Sequence, residues 1–146
     1  MYNALSHMHS GLRWVVLFLL IFAIYNAING KKRATYEKKD KLINLFTMIS
    51  LHTQLLIGLI LYFISPKVSF VSGWMKDAFT RFYGMEHILM MVIAIVIVTI
   101  GRKKAEKLED ISAKHKKITV MYTIALILIL AAIPWPFRSA LGGKWF

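Results

Sequence analysis

The chain carries five histidines and no cysteine. Any metal it holds must therefore rest on imidazole, thioether or carboxylate groups, and thiolate sites, iron–sulfur clusters and covalently attached haem are excluded. His52 and His87 fall inside long apolar runs, where ionisable groups are costly and point to function. His52 lies eleven residues past Lys41 and His87 fourteen before Gly101. Counted from those basic ends, their depths differ by roughly three residues, or about 4.5 Å. Two level histidines on different helices are what a bis-histidine b-type haem requires, since each imidazole must reach the iron from an opposite face of the macrocycle. The expectation is one non-covalent haem b with His52 and His87 as axial iron ligands. The plainer alternative is a pair of hydrogen-bonded structural histidines.

Other polar residues of the apolar runs take supporting places. His9 lies twenty-one residues before Gly30, at or just beyond the outer rim, and is the reserve ligand if the first and third helices are diagonal neighbours. Arg13, one turn on, shares its face and would pair with haem propionates through charge-assisted hydrogen bonds, unless it simply snorkels to the headgroups. Glu86 is expected to pair with Arg13 or Arg81, or to serve proton or quinone chemistry. Thr53 and Gln54 follow His52 in mid-span. His7, two residues from His9, faces nearly the opposite side. His115, in Lys114–Lys117, belongs to the inner rim, and both are read as structural. Gly58, Gly84 and Ala94 would admit a flat cofactor or let helices pack closely. The eight methionines are scattered, which suits packing better than Cu(I) binding. No phosphate-binding loop, nucleophile elbow or metalloprotease motif is present, so hydrolytic chemistry has no visible machinery.

These residues need elements to hold them. At 58% hydrophobic, with a positive mean hydropathy, the chain exceeds what a soluble domain of its size usually carries. Four apolar runs, at about residues 10–29, 42–64, 82–101 and 118–134, are each near the roughly 20 residues that cross a hydrocarbon core. Gly30, Pro66, Gly101 and Pro134 are the expected stops. The net charge of +12 does not point to nucleic acid, because thirteen of the nineteen Lys and Arg sit in two short stretches, Gly30 to Leu42 and Arg102 to Lys117, parcelled between apolar runs. That is the positive-inside pattern. The N-terminus has no basic n-region, so its apolar run is expected to stay as a helix rather than be cleaved. The fold expected is all-α: a single domain over residues 1–146, an integral membrane antiparallel four-helix bundle with both termini outside.

The runs Met8-His9-Ser10-Gly11-Leu12-Arg13-Trp14, His52-Thr53-Gln54 through Phe63, Glu86-His87 with Met90-Met91, Thr99-Ile100-Gly101-Arg102, Lys114-His115-Lys116-Lys117 and Ile133-Pro134-Trp135-Pro136-Phe137 together resemble a family of short four-helix bacterial inner-membrane proteins commonly labelled cytochrome b-like. The resemblance covers nearly the whole chain. It implies a haem-bearing electron-transfer protein of the respiratory chain, rather than an enzyme in its own right. It also implies His52 and His87 as axial ligands, with His9 and Arg13 in outer-side support. A single level pair offers one haem, so quinone, another membrane redox subunit or a second copy would complete the electron path. Two other readings compete. One is an accessory or assembly subunit whose basic loops dock on anionic lipid or an acidic partner. The other is a metal or proton transporter relaying through His7, His9, His52, Glu86 and His87, for which four helices are few.

Overall fold

Four long helices and no strand make up the chain, described over all 146 residues by a computed structural model. They are α1 (Tyr2–Arg33), α2 (Lys38–Ile64), α3 (Ala78–Lys107) and α4 (Ile111–Ala132), each long and apolar enough to cross a membrane. Their hydropathy is not explained by burial within the chain. Only 27 of 146 residues are buried, while Phe18, Tyr25, Phe46, Leu56, Phe63 and Ile127 stand more than half exposed. An apolar exterior of this extent calls for a lipid solvent. Small residues fill the centre instead. Ala23, Ala94, Ala105 and Ala125 are fully buried beside Leu20, Val98, Ile118 and Tyr122, a composition that lets helix backbones approach where van der Waals packing must hold them.

Around the bundle α1 packs on α2 and α4, and α4 on α3; the α2–α3 seam is thinner, and α1 and α3 face each other across the diagonal. The termini and the 65–77 connection meet at one end, here the terminal end, where Ser65 bonds Tyr2, Tyr83 bonds the Leu141 carbonyl and Arg13 bonds the Trp145 carbonyl. The short connections 34–37 and 108–110 meet at the other, the basic end, where Tyr36 bonds Glu106 and His115 bonds the Thr35 carbonyl.

Helix boundaries follow local chemistry. Asp40 accepts from the Glu37 backbone N–H at 2.7 Å, and the Glu37 side chain accepts in return, a capping box that starts α2. Asp110 accepts from Ala113 N–H at 2.6 Å and starts α4. α2 ends before Pro66 and α4 before Pro134, as proline demands.

The two glycine stops are corrected. α1 runs through Gly30 to Arg33 and ends on Ala34 in the left-handed region (φ 54°), while α3 runs through Gly101 to Lys107. Both glycines are packing sites. A Cβ at Gly30 would overlap the His115 ring, and one at Gly101 would lie 2.6 Å from Met121 Cβ.

A polar layer closes the basic end. Asp40, fully buried, accepts from Asn26 Nδ2 at 2.7 Å and pairs with Arg33 at 3.2 Å. Tyr122 donates to the Asn44 carbonyl at 2.9 Å, and Tyr36 donates to Glu106. Burial, then the bond to Glu106, pushes the Tyr36 phenol above its ordinary range. His115 lies inside α4 rather than ahead of it. It is buried, and its Nε2 donates to the Thr35 carbonyl at 2.7 Å.

Candidate functional site

His87 owes its position to an irregularity in α3. Asp77 caps the helix, with the Thr80 N–H and hydroxyl each donating to it at 2.9 Å. Those bonds hold its carboxyl below the usual range. The first turn is followed by a π turn over Phe82–Glu86, closed by the His87 N–H on the Phe82 carbonyl. Tyr62 of α2 donates to the Gly84 carbonyl at 2.7 Å within that turn. Single π turns recur at functional sites because they re-aim the residues that follow.

Here the residue re-aimed is His87. Its Nδ1 lies 2.7 Å from the Ala132 carbonyl at the end of α4. A carbonyl only accepts, so Nδ1 carries the proton and Nε2 is left with a lone pair.

His9 comes from α1 to meet it. The two ring centroids are 6.4 Å apart at an interplanar angle of 70°. Gly58 makes room on α2, since a Cβ there would lie 3.1 Å from His9 Cε1. The His9 carbonyl accepts from Gln54 Nε2 at 2.8 Å, which ties α1 to α2 at this level.

The pair lines a cavity of about 400 Å³ between the helices at the terminal end, shared with Arg13, Gln54, Gly58, Met91 and Ile95. That volume is within the range of small-molecule and cofactor pockets, about 300–1,000 Å³. Three buried polar atoms beside the cavity have no partner in the chain: His9 Nδ1, Arg13 Nε and Gln54 Oε1. Buried polar atoms are normally satisfied, and unpaired ones gathered at a cavity mark where another group belongs.

The chain matches no family model, no curated protein and no solved structure.

The geometry does not bring His52 to His87. His52 Nδ1 donates back to the Met48 carbonyl at 2.8 Å, and its Nε2 faces Thr99 Oγ1 at 3.5 Å. Thr99 is twelve residues further along α3 than His87, roughly 18 Å at the helical rise. The expected level pairing is corrected to His9 with His87. Gly101 accounts for part of the difference: counted from the true helix ends at Lys38 and Lys107, His52 and His87 differ by six residues, or about 9 Å, and the bond to the Met48 carbonyl draws the His52 ring further toward the basic end.

Arg13 donates to the Trp145 carbonyl at 2.6 Å and lies over the Trp14 and Trp135 rings, so its guanidinium ties the C-terminal segment over the head of α1. Glu86 pairs with Arg81 at 2.6 Å, not with Arg13. His7 is exposed at the cavity rim. His115 belongs to the basic end, away from the cavity. The anchors that sequence reasoning missed are the Ala132 carbonyl and the Tyr62 hydroxyl. The first is a backbone atom with no sequence signal, and the second is a tyrosine at the end of an apolar run that reads as an interfacial aromatic.

Proposed function

We propose that the cavity holds one b-type haem, with His9 and His87 as the two axial ligands, in a membrane protein that passes single electrons to or from quinone or a neighbouring redox subunit. The observation that carries this reading is the separation of the two rings. His9 and His87, 6.4 Å apart between centroids on the wall of one cavity, would hold the haem iron between them.

The donor set fits. No group of the chain bonds Nε2 of His87, whose Nδ1–H is held by Ala132, the arrangement by which a backbone carbonyl fixes the tautomer and orientation of a ligating histidine. His9 has an unpartnered Nδ1, which gains a partner if that nitrogen is the one that ligates. Arg13 stands one turn from His9, where a cation would offset haem carboxylates. A bound haem supplies reversible one-electron chemistry, and the protein's part is to hold it, exclude water and set its surroundings.

The same reading places the chain in a bacterial inner membrane as an antiparallel bundle, with the basic connections cytoplasmic and both termini outside. The charge distribution supports this: the stretches Gly30 to Leu42 and Arg102 to Lys117 hold thirteen of nineteen basic residues, and such loops stay on the cytoplasmic side. The haem would then lie nearer the outer leaflet. Below it the core is apolar, with Leu20, Ala23, Val98 and Ala125 fully buried. A proton or ion relay is disfavoured, because the polar groups of that layer, Thr47 and His52, are bonded back to backbone carbonyls and Glu86 is held by Arg81.

Haem content tests the reading. Full-length protein purified from haem-replete cells is expected to carry close to one non-covalent haem per chain, extractable by acid and organic solvent. A colourless preparation would overturn it.

A further inference from the structure

A second site lies at the opposite end of the bundle. Where the end of α3 meets the first turns of α4, a shallow depression is lined by Leu108, Ala113, Lys116, Lys117, Val120 and Met121. We propose that it seats one anionic phospholipid, its phosphate held by Lys116 and Lys117 and an acyl chain laid along α4.

Charge complementarity identifies the occupant. The chain's three ion pairs are Arg33–Asp40, Lys39–Glu37 and Arg81–Glu86, so neither lysine has a carboxylate partner. Lys114, their neighbour, is spoken for, its ammonium lying 4.9 Å from the Tyr36 ring centroid. Two unpaired ammonium groups beside an apolar floor suit a ligand with an anionic head and a hydrocarbon tail, and basic recesses between membrane helices recognise such heads.

The depth also fits. The polar stretch Lys114–Lys117 gives way directly to the apolar run that begins at Ile118, so the lysines stand at headgroup level. Val120, Ile124 and Ile127 continue from the depression as exposed apolar side chains. At spacings of four and three residues they share one face of α4, a track of the kind an acyl chain follows. A free phosphate would use the lysines and ignore that track.

The test uses full-length protein in zwitterionic micelles, titrated with phosphatidylglycerol or with phosphatidylcholine of the same acyl chains, and reads bound lipid by native mass spectrometry. Phosphatidylglycerol is expected to bind at least tenfold more tightly, each lysine near the surface contributing about fivefold. Lys116→Gln with Lys117→Gln is expected to abolish the preference without moving the thermal midpoint. Lys31→Gln with Lys32→Gln, the same charge removed from two exposed and unpaired lysines at the end of α1, is expected to keep it. Equal loss in both double variants would show general surface attraction and overturn the site. Displacement of the lipid by millimolar inorganic phosphate would overturn the lipid assignment.

Discussion

His87 on α3 donates its Nδ1–H to the Ala132 carbonyl on α4 at 2.7 Å, and this one bond fixes both the tautomer and the aim of the imidazole. The Nε2 lone pair is left for the cavity. Ala132 is the last residue of α4, ahead of Ile133 and Pro134, so its carbonyl is one of those a helix end leaves without an intrahelical partner. The histidine satisfies it.

His87→Gln separates this structural bond from ligation. A glutamine amide can donate to the Ala132 carbonyl but offers no aromatic nitrogen to a metal. The variant is expected to purify without haem and to melt close to haem-extracted wild type, with a loss of no more than about 1 kcal/mol. Calorimetry in detergent alongside haem content checks both halves.

The glycines divide into packed and open. Gly30→Ala and Gly101→Ala drive a methyl into His115 and Met121 respectively, whereas nothing lies within 4 Å of a Cβ at Gly11. Overpacking typically costs about 1–3 kcal/mol, so both packed variants are expected to melt lower. Gly11→Ala gains helix propensity and is expected to be neutral or stabilising by up to about 1 kcal/mol. Thermal unfolding of the three single variants tests the contrast.

Asp40 has no exposure and is held by Asn26, Arg33 and the Glu37 N–H. Asp40→Ala removes a helix cap and leaves Asn26 without its partner, an expected loss of about 2–4 kcal/mol. Because the residue is remote from the cavity, haem content per folded protein is expected to stay near the wild-type value, which a melting curve and a spectrum of the same sample would show.

The Tyr36 phenol is held above its ordinary range by burial and by Glu106. In the unfolded chain it ionises near pH 10. Above that pH the unfolded state loses a proton that the folded state keeps, so stability falls as pH rises. Tyr36→Phe is expected to melt lower at neutral pH through the lost bond and to show a shallower decline between pH 10 and 11. Phenolate absorbance near 295 nm would report the titration directly.

Much of this was legible in the sequence. The four apolar runs, the prolines that end α2 and α4, and the basic connections follow from hydropathy and backbone chemistry alone. The level of His87 did not, because Gly101 reads as a helix stop unless one knows that Met121 packs on it, and that error shifts α3 by six residues between Gly101 and Lys107. His9 was visible as a reserve partner only. What promotes it is the diagonal placement of α1 and α3 and the space left by Gly58, both tertiary facts. Asn26 and Asp40, fourteen residues apart across a turn, carry no local signature of the buried contact they make.

Which histidines face each other is tested most directly by the dithionite-reduced minus oxidised absorption spectrum of wild type, His9→Ala, His52→Ala and His87→Ala, purified alike. The account predicts a b-type α-band in wild type and His52→Ala, and its loss in His9→Ala and His87→Ala. A band that survives in His9→Ala and vanishes in His52→Ala would contradict it.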